Sequence, residues 1–282
     1  MGRPRVLVLG ASGLLGRAIY QHLVSTEEFA VYGTGRSDSS LIRMQANKSE
    51  LSFIIDKTNP DYIVNCIASL RKSKGLRRNF EFFKINSLFP RQLARISQER
   101  GTFLIHFSTN AVFHGHAGSY PESSWRIPSS LYGLSKLLGE PKAKNVLVLR
   151  TSFIGLGIRD TSVVSRILNA PKNSPITGFE NHYWNGVSTV ILAKLCAGMI
   201  RSSRKSGGIL HFHASSTVSR YELLRLITKK ISRADLTICR SSSKRSLDLT
   251  LRSSYPELHK ELWQMAGFPE PLPVSEIIEH YL

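Results

Sequence analysis

Short apolar runs bounded by turn residues alternate with stretches of helical period along the first half of this chain. Such alternation predicts βαβ units and a parallel sheet. Arg5 to Leu9, Phe29 to Thr34, Asp61 to Asn65, Phe103 to Ser108 and Val146 to Arg150 are the predicted strands. Gly16 to Ser25, Ser49 to Thr58, Ile85 to Arg100 and Pro128 to Pro141 are the helices between them. After Arg150 the pattern loosens. Val163 to Leu168 predicts a short helix, 171–185 is turn-rich, and Thr189 to Ser202 predicts a helix. Ile209 to His213 predicts a strand, and Arg220 to Ile231, Pro256 to Ala266 and Ser275 to Tyr281 predict helices around a polar, basic stretch at 241–250. The expected class is α/β, a doubly wound parallel sheet with a smaller C-terminal part.

Composition narrows the partners. The chain has 282 residues, 41% apolar and 21% charged, which excludes a disordered or fibrous class. Its formal charge of +18 attracts polyanions: nucleic acid, a nucleotide cofactor or substrate, or an acidic surface. A solvated basic surface with no specific partner is the plainer account. The three cysteines, Cys66, Cys196 and Cys239, have neither disulfide nor zinc spacing and suit a reducing compartment. Val187 to Ile200, the longest apolar stretch, is broken by Ser188, Thr189 and Lys194 and is too short to span a bilayer. No metal-ligand spacing is visible. A cytoplasmic protein, without membrane or nucleic-acid partner, is expected.

The segment VLVLGASGLLGRAI sets Gly10, Gly13 and Gly16 between a strand and a helix. Glycines there allow a tight turn and close approach to a pyrophosphate, which the helix N-terminus then binds through its N–H groups. The cofactor loop is read as Gly10, Ser12, Gly13, Leu14, Leu15 and Gly16, and the fold as Rossmann-type. An ordinary strand-to-helix turn is the alternative. After the second strand, GTGRSDSS presents Arg36 where an NAD site offers a carboxylate. A guanidinium suits a 2′-phosphate, so NADP(H) is favoured, with Ser37 or Ser39 assisting. Asp38 keeps NAD(H) open, and Arg36 also reads as an exposed loop cation.

SSLYGLSKLLGE places Tyr132 and Lys136 four residues apart on one helical face. Carbonyl reduction needs a proton on oxygen as well as a hydride on carbon. A phenol beside an ammonium has a lowered pKa and can supply that proton. The competing account is a surface helix with a snorkelling lysine. The strand ending in STNAVF brings Ser108 or Thr109 to the carboxyl edge of the sheet, where either hydroxyl would meet a substrate oxygen or close a turn.

GASGLLG, VNCIA, INSLFP, STNAVF, YGLSK and LRTSFIG follow one another in an order and spacing that resembles the extended short-chain dehydrogenase/reductase family. Within it the chain is similar to the branch of dTDP-4-dehydrorhamnose reductase and related sugar-nucleotide reductases, closely over 5–200 and loosely thereafter. The resemblance implies a catalytic set of Thr109, Tyr132 and Lys136, with Lys136 also holding the nicotinamide ribose. It implies that Asn65, Ile67 and Ala68 line the cofactor, that Asn86 belongs to the active-site helix, and that the nicotinamide lies near Thr151 to Phe153. The chain departs from the branch where Asn110-Ala111 replaces Asp-Tyr, and Asn47 stands where an Asp meets the adenine. NHYWNGVST replaces another set, offering His182, Tyr183, Trp184 and Asn185 to a substrate. The expected substrate contacts are Asn86, Asn110, His182, Trp184 and Asn185.

The expected division is 1–155 as the dinucleotide-binding domain, with 180–215 returning to it, and 156–179 with 216–282 as the substrate-binding part. Arg71, Lys72, Lys74, Arg77 and Arg78 crowd one segment, either a diphosphate site or a solvated face. Three functions remain: NAD(P)H-dependent reduction of a keto group on a nucleotide-linked sugar; an epimerase or dehydratase with tightly held NAD; and a non-catalytic dinucleotide-binding regulatory subunit. The charge alone suggests a nucleic-acid binder, but no such signature appears. A homodimer through Ile85 to Arg100 and Pro128 to Pro141 is a further expectation.

Overall fold

The computed structural model describes residues 2–45, 48–70, 81–157 and 162–282. Six strands run through the first half: β1 (Arg5–Leu9), β2 (Ala30–Gly35), β3 (Ile42–Arg43), β4 (Tyr62–Asn65), β5 (Phe103–Thr109) and β6 (Val146–Thr151). With strand Gly208–His211 they form a seven-stranded sheet in the order Gly208–His211, β6, β5, β4, β1, β2, β3. Every pairing in it is parallel. β4, β5 and β6 are buried along their whole lengths, which is why they read as unbroken apolar runs.

Alternate residues of one strand feed two cores, as the two-residue period of a strand requires. Val6 and Val8 pack with Leu15, Ile19 and Leu23 of α1 (Leu14–Ser25) and with Ile191, Leu192 and Leu195 of helix Thr189–Arg201. Leu7 and Leu9 pack with Leu51, Ile54 and Ile55 of α2 (Lys48–Thr58) and with Phe89 and Leu93 of helix Phe89–Glu99. From β1 the sheet grows to β2 on one side and β4 on the other. Such a reversal leaves a crevice beyond the carboxyl ends of the strands, where open α/β sheets bind ligands.

Several boundaries differ from expectation. The helix expected from Ile85 opens with a π-helical turn, Lys84–Leu88, before Phe89–Glu99, and the helix that carries Tyr132 and Lys136 is the shorter Leu131–Leu138. The stretch expected to be turn-rich carries two strands. Pro175–Phe179 pairs with Thr237–Ser241, and His182–Trp184 pairs with Val218–Ser219 and Leu247–Asp248. Helix Pro256–Met265 lies against Thr189–Arg201, and Val274–Tyr281 against Arg220–Lys230. Asn47 and the basic stretch Arg71 to Arg78 lie outside the described residues. No helix among the described residues is long and apolar enough to cross a membrane.

Candidate active site

The loop after β1 turns at Gly10, whose φ of 79° favours a residue without Cβ. A Cβ on Gly16 would stand 2.1 Å from the Gly10 carbonyl oxygen, so α1 starts against the loop only because that position is bare. Gly13 caps α1 without a side-chain hydrogen bond, which leaves the first N–H groups free for an anion. Beyond them opens a cavity of about 690 Å³, lined by Gly10, Ser12 and Gly13, by Arg36, by Ile67 and Ala68, and by Glu81 and Lys84 among others. A glycine cradle, an uncapped helix end and a cation at the far strand fit a dinucleotide.

The remaining expected cofactor residues take other positions. Leu15 and Gly16 are buried in α1, Leu14 begins that helix, and Ser37 is exposed outside the cavity lining. Asn65 is buried behind the wall: its Oδ1 accepts from the Ile67 N–H at 3.1 Å and its Nδ2 meets His106 Nδ1 at 3.0 Å. Asn65 thus positions the wall residue Ile67. Asp38 is turned away, its Oδ1 accepting from the Ser40 N–H at 3.0 Å and the Ser40 hydroxyl at 2.6 Å.

β5 ends at Thr109, whose side chain accepts from the Ala111 N–H at 3.2 Å and hydrogen-bonds Tyr132. Helix Leu131–Leu138 begins under a Ser130 cap and comes so close to this turn that a Cβ on Gly133 would stand 2.0 Å from the Ala111 carbonyl oxygen. Burial pushes the Tyr132 phenol up to about 12, with the Thr109 hydrogen bond pulling the other way. The expected lowering by the Lys136 ammonium is therefore not what this site shows. Lys136 is 2% exposed and donates to the Phe107 carbonyl at 2.7 Å. Burial lowers its amine to about 8, against the opposing pull of the Glu140 charge and of Cys66, which lines the cofactor cavity.

Behind Lys136, Glu140 accepts from Ser108 Oγ at 2.7 Å and from Arg150 Nε and Nη2 at 2.8 and 2.7 Å. Arg150 is fully buried, its guanidinium over the Phe113 ring at 5.5 Å. This ion pair ties the segment just after helix Leu131–Leu138 to β6. Asn86 makes a second tie. Its amide group bonds the Ser69 N–H and carbonyl at 2.8 and 2.9 Å and Ser135 Oγ at 3.0 Å, so it braces the helix between Tyr132 and Lys136 and presents nothing to a ligand.

A second cavity of about 690 Å³ is lined by Asn110, Ser152, His182 and Trp184, with Arg166, Arg220 and a mainly apolar remainder. Asn110 also donates to the Leu249 carbonyl at 2.9 Å, and Trp184 Nε1 donates to Ser152 Oγ at 2.8 Å. Asn185 is outside the lining; it exchanges hydrogen bonds with the Leu251 carbonyl and N–H at 2.7 and 3.0 Å. Thr109, Tyr132 and Lys136 line neither cavity, but Asn110, next to Thr109, lines one, and Cys66, whose charge acts on Lys136, lines the other. The sequence reasoning missed Arg166 and Arg220, which no motif marks, and also Glu81 and Lys84.

The family model for the RmlD substrate binding domain matches residues 4–282. A dTDP-4-keto-6-deoxy-D-glucose reductase of Streptomyces niveus is 25% identical over 270 residues, 93% of this chain and 91% of that one. The methionine adenosyltransferase 2 subunit beta of Danio rerio is 27% identical over 235 residues, 78% of this chain and 71% of that protein. The fold matches the crystal structure of a dTDP-4-dehydrorhamnose reductase from Bacillus anthracis in complex with NADP, with a TM-score of 0.81 and 20% identity over 100% of this chain and 98% of the other.

Proposed function

Because the chain belongs to the RmlD substrate binding domain family, we propose that it is an NADPH-dependent reductase of a keto group on a nucleotide-linked sugar. The observation that carries this is a Tyr132 phenol hydrogen-bonded to Thr109, on the same helix as the buried Lys136, with Asn110 beside Thr109 lining one cavity and Cys66 near Lys136 lining the other. A nicotinamide, when bound, supplies the hydride. Tyr132 Oη holds its proton at neutral pH and delivers it to the substrate oxygen as charge builds there. Thr109 Oγ1 orients that oxygen. Lys136, protonated in the main below its value of about 8, then faces a phenolate that it stabilises through a dry medium.

Arg36 lines the first cavity while the Asp38 carboxylate is committed to Ser40, which supports NADP(H) over NAD(H). On this reading Asn110, His182 and Trp184 contact the substrate, and 156–179 with 216–282 form the substrate side. The reading carries a cytoplasmic location with it, where nucleotide sugars and NADPH meet. Leu131, Leu134 and Leu138 expose one apolar stripe, and Trp125 and Ile127, just before that helix in the chain, are exposed too, which supports a homodimer through this face; a sedimentation mass of one chain removes that part.

The test is titration with NADPH and NADH, followed by NADPH oxidation with a panel of nucleotide-linked 4-keto sugars. Tyr132→Phe should lose roughly 10²- to 10⁴-fold in turnover and keep its NADPH affinity. The Danio rerio relative favours a second reading, a dinucleotide-binding subunit of another enzyme. Binding without turnover by the unaltered protein would select it.

A further inference from the structure

Among the described residues that line the first cavity, Glu81 is the one carboxylate. A fixed negative charge beside a ligand rich in phosphate costs binding unless it accepts a hydrogen bond from that ligand. Lys84 lines the same cavity three residues later, on the same helical face. Yet among the described residues the two make no ion pair with each other, and neither side chain has another polar partner. Both are left for a ligand. Lys84 opens the π-helical turn Lys84–Leu88, which Asn86 fastens to the wall residue Ser69 through its bonds of 2.8 and 2.9 Å to the Ser69 N–H and carbonyl. The pair therefore stands on a braced element. Met44, Ile67, Leu70 and Ile85 add an apolar lining suited to the faces of a planar base.

A dinucleotide carries two bases. Ser152, where the nicotinamide is expected, lines the second cavity, whereas the glycine loop and Arg36 line the first. A 2′-phosphate held by Arg36 belongs to the adenosine, so the base enclosed with Glu81 and Lys84 is the adenine. Its edge sets an N6 amino donor next to a ring-nitrogen acceptor, the complement of a carboxylate beside an ammonium. The ribose hydroxyl is a poorer donor for Glu81, because the neighbouring 2′-phosphate would repel a carboxylate there. We propose that Glu81 accepts from the adenine N6 amino group and Lys84 donates to the adjoining ring nitrogen, so that the site selects adenine over bases with an oxygen at that position. The inference rests on the dinucleotide reading of this cavity and deepens it.

The test compares NADPH with the analogue in which hypoxanthine replaces adenine, by fluorescence titration of the reduced nicotinamide that both carry. The unaltered protein should bind NADPH roughly ten- to a hundred-fold more tightly, the worth of one bidentate base contact. Glu81→Gln should remove that preference, because a carboxamide accepts from an amino group and also donates to a carbonyl oxygen. Glu81 is exposed, so this change leaves the fold intact. Arg36→Ala should weaken both ligands together and keep the preference, since both carry the 2′-phosphate. Equal affinity of the unaltered protein for the two ligands, or a preference that survives Glu81→Gln, overturns the inference while NADPH binding leaves the dinucleotide reading standing. Binding of neither ligand overturns both.

Discussion

Replacing Glu140 tests whether the buried ion pair holds the catalytic helix in place and tunes Lys136. Glu140 accepts two hydrogen bonds from a fully buried Arg150 and one from Ser108. Glu140→Gln keeps the shape but removes the charge and one acceptor, leaving the guanidinium with one neutral amide oxygen, the Phe113 ring and a long contact of 3.4 Å to His211 Nε2. One charge-assisted bond of about 1.5 to 3 kcal/mol is lost and the other weakened, which approaches the cost of about 3 to 5 kcal/mol for breaking a buried pair from one side. Urea denaturation should show that loss, and the melting temperature should fall by roughly 10 °C for a chain of this size. Adding Arg150→Met removes the orphaned charge and should restore most of the stability. Function moves separately. Glu140 opposes the burial that holds Lys136 at about 8, so its removal lowers that value further and deprotonates Lys136 at a lower pH. Activity of the variant should therefore fall off earlier as pH rises from 6 to 8. A stability loss under about 1 kcal/mol, or strict additivity of the two substitutions, would refute the account of the pair as buried and coupled.

Gly16→Ala forces a Cβ to within 2.1 Å of the Gly10 carbonyl oxygen and should abolish NADPH binding in a fluorescence titration while the protein remains folded by circular dichroism. Arg36→Ala should weaken NADPH roughly tenfold or more, the worth of a charge-assisted contact, and leave NADH unchanged; equal losses for both would count against a 2′-phosphate contact. Burial holds His211 at about 4 and His259 at about 3, both below the usual histidine value of 6.5. The unfolded chain then binds more protons than the folded one as pH falls below 6.5, so stability is full above that point and is lost toward the folded values. At about 1.4 kcal/mol per pKa unit the loss by pH 4 should reach a few kcal/mol, seen in urea midpoints, and His259→Phe should flatten the curve.

The sheet was legible because its strands are buried on both faces and so appear as uninterrupted apolar runs, and the loop was legible because glycine is demanded at fixed points. The strands Pro175–Phe179 and Thr237–Ser241 were not, for they pair with each other across a long separation and stay largely exposed, which leaves no period to read. The π-helical turn at Lys84–Leu88 coincides with the Asn86 bonds to Ser69 and Ser135, a tertiary arrangement that local propensity does not encode. Tyr132 and Lys136 stand out by their spacing, and Thr109 by its place at the end of a strand. Asn65, expected at the cofactor, and Asn86 and Asn185, expected at the substrate, all spend their amides on neighbouring protein groups, a distinction between bracing and contacting that only coordinates make. Arg166 and Arg220 were lost among 38 lysines and arginines, since what sets them apart is their place in the lining of the second cavity.

The bond from Asn110 to the Leu249 carbonyl joins residues 139 apart in the chain, and the Asn185 bonds to Leu251 repeat the stitch. During synthesis the residues that line the first cavity, Gly10 to Ile85, emerge early, whereas Asn110, beside Thr109, finds its partner only when almost the whole polypeptide has left the ribosome. A nascent chain arrested before Leu249 would thus hold a cofactor cleft beside an unfinished substrate wall. On the reductase reading such an intermediate would hold its cofactor before the wall that selects the substrate is in place.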